Sequence, residues 1–203
     1  MEFAIKIYDV PDSGSLRDEY RDRHLAYLKK FDETTRFSGP FLTDDGAKEL
    51  GSFRINEFPD RAAAERHVAE EPFVLGGVQK KEAVIHRWQT RAPFSYRDCP
   101  REKGNIQFLI YALDKPDGLA MRDEVRKVHQ EYLGNAASII MARGSLVSDD
   151  GSHQFGSLLM IDVPDLAAAK AFWENEPYNK GGLFETVEFY RWRFGRISDR
   201  FKG

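Results

Sequence analysis

What this chain lacks narrows it first. Its 203 residues include one cysteine, Cys99, which excludes a disulfide framework and a cysteine-built zinc site. No apolar run approaches the roughly 18 residues that a membrane helix needs, so no membrane span is expected. Positive charge is not in excess: a formal net charge of −3 and a pI near 6.0 argue against a protein that neutralises nucleic-acid phosphates. The start, MEFAIKIYDV, carries an acid at position 2 and no basic stretch. It reads as a first strand rather than a signal peptide, and a cytoplasmic location is the expectation. His67, His86 and His153 stand at no metal-ligand spacing, and the two Asp-Asp-Gly turns lack the further ligands that calcium needs. No metal and no other cofactor is expected.

What is present is a repeat. Residues 21–28 read RDRHLAYL and residues 126–133 read RKVHQEYL, both R-x-x-H-x-x-Y-L. Sliding the chain by 105 residues aligns 16–86 with 121–191 without a gap, and 22 of the 71 positions are identical. The identities cluster as Arg-Asp-Glu, Asp-Asp-Gly, Gly-Ser, Pro-Asp, three alanines, Glu-Pro and Gly-Gly. This is a tandem duplication, and each copy is long enough to be a domain. The segment 91–104, RAPFSYRDCPREKG, breaks the pattern with two prolines and a charge cluster and reads as a linker. The expected domains are 1–90 and 105–196, with a polar tail over 197–203.

Within each copy the periods are legible. FAIKIYDV and IQFLIYAL read as strands. Leu16, Tyr20, Tyr27, Leu28 and Phe31 form a helical stripe, repeated by Met121, Val125, Tyr132 and Leu133. TRFSGPFLT and SIIMARGSLVS are strands leading into the Asp-Asp-Gly turns, and GSFRINEF and GSLLMIDV return from them. Pro-Asp then opens a helix with the aspartate as N-cap, and a last strand follows the paired glycines. The order β-α-β-β-α-β, twice, is that of tandem ferredoxin-like α+β domains. RNA-recognition domains share this order, but the third strands lack the stacked aromatics they need. The helices cover one sheet face, and Ile5, Ile7, Phe53 and Ile55 are expected on the other. The economical arrangement packs the two sheets face to face, as a pseudo-dimeric barrel within one chain, with room for a further homodimer.

RDRHLAYL, SGPFL, GSFRI and EPFVLGGV in the first copy, with RKVHQEYL, ARGSL, GSLLM and EPYNKGGL in the second, resemble the YciI-like (YCII-related) family. The resemblance covers nearly the whole chain as two family domains. It implies a dimeric α+β barrel and a pocket with a histidine and an aspartate proposed as catalytic; one branch resembles chlorohydroxyquinol dehydrochlorinases. His24 and His129 match the family histidine. The family's aspartate lies near the end of that helix, where the first copy has Asp32 and Glu33 and the second, GNAASI, has no carboxylate.

The histidine reading also stands on the residues. His24 lies on the apolar stripe, where burial lowers and a nearby carboxylate raises an imidazole pKa. A histidine near its reference pKa of about 6.5 suits proton transfer. Arg21 and Arg126 are placed to hold an anionic substrate, and Ser52, Ser157 and Tyr27 are further candidates for the pocket wall. Two functions remain open. One is a cofactor-independent lyase, isomerase or dehydrohalogenase acting on a small cyclic or aromatic-derived acid. The other is a non-catalytic ligand-binding or accessory protein. The acids after His24 place any chemistry in the first copy.

Overall fold

Strands and helices follow the duplicated pattern in the computed structural model, which describes residues 1–195. The tail expected over 197–203, and residue 196 before it, lie outside the described residues. The chain divides into two compact units. The first holds Met1–Trp88, Ser95–Arg97 and, of the residues after Trp192, the described Arg193, Phe194 and Gly195; the second holds Gln89–Phe94 and Asp98–Trp192. The segment 91–104 is thus shared between the units rather than standing apart from both. No described helix is long and apolar enough to cross a membrane.

The first unit runs β1 (Glu2–Tyr8), α1 (Gly14–Lys29), a 3-10 turn (Asp32–Thr34), β2 (Thr35–Leu42), β3 (Glu49–Glu57), α2 (Arg61–Ala69), α3 (Pro72–Leu75) and β4 (Val84–Thr90). Its antiparallel sheet has the order β4-β1-β3-β2, the ferredoxin-like arrangement. The second unit runs β5 (Ile106–Asp114), α4 (Gly118–Asn135), β6 (Ile140–Val147), β7 (Gln154–Val163), α5 (Leu166–Asn175), α6 (Pro177–Lys180) and β8 (Phe184–Trp192). Its order is β8-β5-β7-β6. Asp60 and Asp165 cap α2 and α5, accepting from the amides of Ala63 and Ala168 at 2.7 and 2.8 Å, as the Pro-Asp signal predicts. The short helices α3 and α6 occupy what the sequence suggests is only a turn.

Register corrects one expectation. Ile5 pairs with Arg54 and Ile7 with Ser52, whereas Ala4 pairs with Ile55 and Lys6 with Phe53. Residues paired across strands share a face. Ile5 and Ile7 therefore lie on the helix-covered face, where they pack with Phe3, Phe58, Ala64, Val68 and Val74. Phe53 and Ile55 lie on the opposite face and are fully buried. The four residues do not form one face, because a shift of one residue between strands exchanges inside for outside. In the second unit the equivalent helix-facing set is Phe108, Ile110, Ala112, Leu133, Leu159, Ala169, Phe172 and Trp173.

Candidate functional site

In each unit the first helix lays its histidine against the short helix that follows the alanine-rich one. Glu71 is the N-cap of α3, with Pro72 at the first helical position, where a missing N–H costs nothing. One carboxylate oxygen of Glu71 accepts the Phe73 amide at 3.2 Å. The other meets His24 Nδ1 at 2.5 Å. The second unit repeats this: Glu176 caps α6, accepts the Asn179 amide at 2.9 Å and meets His129 Nδ1 at 2.6 Å. Both carboxylates are buried, so each must have such partners. The glutamate accepts the Nδ1 proton, which leaves Nε2 as the nitrogen that can take up a proton.

An aromatic ring backs each histidine. Phe73 stacks on His24 at 3.8 Å between centroids and 4° between planes; Tyr178 stacks on His129 at 3.9 Å and 26°. A buried arginine lies over each ring, Arg17 at 4.9 Å and Arg122 at 5.0 Å. Arg17 binds Asp9 with two bonds of 2.6 and 3.1 Å and also pairs with Glu49. Arg122 binds Asp114 twice at 2.6 Å and donates to Ser157 at 3.0 Å. These bidentate pairs fix the arginines as part of the frame.

Burial pulls the His24 pKa below its usual value; the Glu71 carboxylate opposes this, and the charges of Arg54 and Arg17 add to it. Burial pushes Glu71 up, but the His24 hydrogen bond and the Arg54 charge outweigh it and hold the carboxyl below its ordinary range. The pair is therefore neutral imidazole on ionised carboxylate at neutral pH.

The two sites part company in what surrounds this frame. In the first, Arg54 occupies the helix-facing position that Leu159 holds in the second. The Arg54 side chain is 1% exposed and its guanidinium donates to His67 Nε2 at 3.1 Å. Burial, followed by the Arg54 charge, drives the His67 pKa down to about 3. The first cavity holds only about 40 Å³ and is lined by Arg17, Arg21, His24, Ser52, Arg54 and Arg193 among others. The second opens to about 510 Å³, within the usual size of a small-molecule site. Its wall includes Arg91, Arg122, Arg126, His129, Arg143, Ser157 and Tyr178.

The structure brings together His24, Arg21 and Ser52 in one cavity, and His129, Arg126 and Ser157 in the other. Arg21 and Arg126 are also paired with Asp18 and Asp123 on their own helices. Asp32 and Glu33 stand apart. α1 ends at Lys29 and the chain turns away, so Asp32 accepts from the Tyr96 hydroxyl at 2.6 Å and lies 3.4 Å from Arg97. Neither acid lines the His24 cavity. Tyr27 belongs to the core side, its hydroxyl donating to the His67 carbonyl at 3.0 Å. The expected contrast between the copies also fails: the second has the same carboxylate on its histidine. Sequence reasoning missed Glu71, Glu176, Arg17, Arg122 and Arg54. The Glu-Pro and Arg-Asp-Glu identities in both copies were the available signal.

Two ferredoxin-like halves, each with a histidine–glutamate pair backed by an aromatic ring, define a duplicated α+β protein with two candidate small-molecule sites. The chain belongs to the YCII-related family, whose domain matches residues 1–89 and again residues 106–193. No curated protein matches the chain. Among solved structures, it is similar to 5-chloro-2-hydroxyhydroquinone dehydrochlorinase from Burkholderia phenoliruptrix AC1100, in complex with 2,5-dihydroxybenzoquinone. That likeness has 29% identity and a TM-score of 0.40, over 44% of this chain and 94% of that one. A mutant chlorite dismutase from Candidatus Nitrospira defluvii in complex with cyanide is similar over 95% of this chain and 90% of its own, at 8% identity and a TM-score of 0.62. A putative monooxygenase from Lactobacillus acidophilus NCFM is similar over 95% and 92%, at 12% identity and a TM-score of 0.52. The last two likenesses are of fold, that of the dimeric α+β barrels.

Proposed function

We propose that this protein is a cofactor-independent enzyme that moves protons on a small anionic substrate, and that the second site is the working one. The observation that carries the reading is His129, fixed through Nδ1 by Glu176, lining a cavity of about 510 Å³ with Arg91, Arg126 and Arg143 in its wall. Arg91 and Arg143 hold no ion pair among the described residues, so their charge is free for a carboxylate or phenolate. A cyclic or aromatic-derived acid fits this combination of size and charge.

In the proposed step, His129 Nε2 takes a proton from a carbon or hydroxyl of the bound acid. The electron pair left behind moves into the adjoining conjugated system. The proton then returns at another atom, giving isomerisation, or a leaving group departs with the pair, giving elimination. Glu176 stabilises the imidazolium that forms, and the arginines hold the anion in place. The small first cavity leaves no room for such a substrate, which moves the expected site of chemistry from His24 to His129.

The test is solvent-deuterium exchange into a panel of hydroxylated aromatic and cyclic carboxylates, followed by NMR. Exchange is expected with the intact chain. His129→Ala should lose about 10²–10⁴-fold, and His24→Ala should keep most of the rate. Unchanged exchange in His129→Ala would sink the proposal. Binding of a panel member without exchange would assign the alternative function, a ligand-binding protein.

A further inference from the structure

Among the described residues, no anion is in contact with the Arg54 guanidinium. Its position faces the helices and the core, where the second unit has Leu159, a member of the apolar cluster. Among the described residues the guanidinium's one hydrogen-bond partner is the neutral imidazole of His67, and its Nε and second terminal nitrogen are buried with no partner there. Glu71, whose charge reaches Arg54 through space, is already engaged by His24 and the Phe73 amide. Glu49 is taken by Arg17 and Arg193. A buried guanidinium in this state is destabilising, a cost that a core leucine would avoid altogether.

The space beside it is suited to a filler. The Arg54 side chain lines the first cavity, and about 40 Å³ there is several times the roughly 10–15 Å³ that one water requires. Beside Arg54 the wall presents Arg17, Arg21, Arg193 and Ser52, together with Glu49, whose carboxylate is held by Arg17 and Arg193. We propose that the first cavity is a binding site for one small monovalent anion, a halide or a carboxylate group of formate size, gripped by the two unpartnered nitrogens of Arg54. The site is independent of the chemistry assigned to His129. It gives the first copy a role different from the second: the same histidine–glutamate frame, beside an ion-sized cavity with a buried arginine in its wall.

The experiment is thermal melting of the full chain in sodium chloride or sodium formate, with ionic strength held constant by gluconate, which is too large to enter. A ligand of the native state raises the midpoint in a saturable way. A saturable rise is expected in at least one of the two salts, and Arg54→Leu should remove it. That variant copies the second unit, so it should fold; its own midpoint in gluconate should be no lower than the parent's. Arg54→Lys keeps the charge on a slimmer side chain and should retain the rise at higher salt. Chloride-35 NMR separates the two anions: broadening by the protein, relieved by formate, shows that they share the site. Broadening that formate does not relieve, together with a formate-only rise, assigns the site to carboxylates. Equal midpoints in all three salts would mean that water alone fills the cavity and would overturn the proposal, as would a rise that persists in Arg54→Leu.

Discussion

His24 and His129 are each held by a glutamate forty-seven residues further along the chain, and this pairing decides what the histidines can do. A carboxylate on Nδ1 sets the tautomer and stabilises the charged ring during proton transfer. Glu176→Gln keeps the shape and a hydrogen-bond acceptor but removes the charge. Its kcat should fall by about ten- to a hundredfold with a smaller change in KM, since the anion is held by the arginines. Equal losses in Glu176→Gln and Glu71→Gln would contradict the assignment of the work to the second site. The histidines were legible in the sequence because they recur inside a recognisable helix. Their partner was not, because the resemblance to the YCII-related family pointed to the acids at the end of the helix, Asp32 and Glu33. A helix of 16 residues carries its C-terminal neighbours away from a mid-helix side chain at 1.5 Å per residue, so the nearest acid in sequence is not the nearest in space.

Among the elements, the strands that open with Gly-Ser show what duplication preserves. A Cβ at Gly51 would stand 2.2 Å from the Ile7 carbonyl oxygen and 2.5 Å from the Phe41 ring. At Gly156 it would stand 2.6 Å from the Ala112 carbonyl oxygen. Both glycines lie beside a register shift in the neighbouring strand, between Phe41 and Leu42 and between Leu146 and Val147. Glycine is needed there because of close backbone approach, which no pattern of residue types reveals. Gly51→Ala and Gly156→Ala should each cost about 1–3 kcal/mol in denaturant unfolding, with the larger loss at Gly51, where the contact is tighter. A neutral result at Gly51 would mean that β1 and β3 can separate without penalty. The helices α3 and α6 escaped sequence reading for another reason. At four residues each they are too short to show a period, and only the Glu-Pro cap marks them.

For the molecule as a whole, the two copies share a fold that the 105-residue offset made readable, because duplicated cores repeat their apolar positions together. The copies differ in buried polarity, which periodicity does not report: Arg54 and His67 in the first stand where Leu159 and Phe172 stand in the second. That difference has a direction in pH. The His67 pKa is about 3 in the folded protein and near 6.5 when unfolded. Between those values the unfolded chain binds a proton that the native chain does not. The stability this histidine contributes is therefore full above about pH 6.5 and is lost as pH falls toward 3, with a slope of up to about 1.4 kcal/mol per pH unit. His24, also lowered, adds a loss of the same sign. Acid should consequently loosen the first copy before the second. Pulse-labelled hydrogen exchange between pH 7 and pH 4 should show β1 and β3 losing protection while β5 and β7 keep it. His67→Phe, which copies the second unit, leaves Arg54 short of a partner and lowers stability at neutral pH, yet it should flatten the acid slope. If both copies lose protection in step, and His67→Phe leaves the slope unchanged, then the buried imidazoles of the first copy do not set where acid unfolding begins.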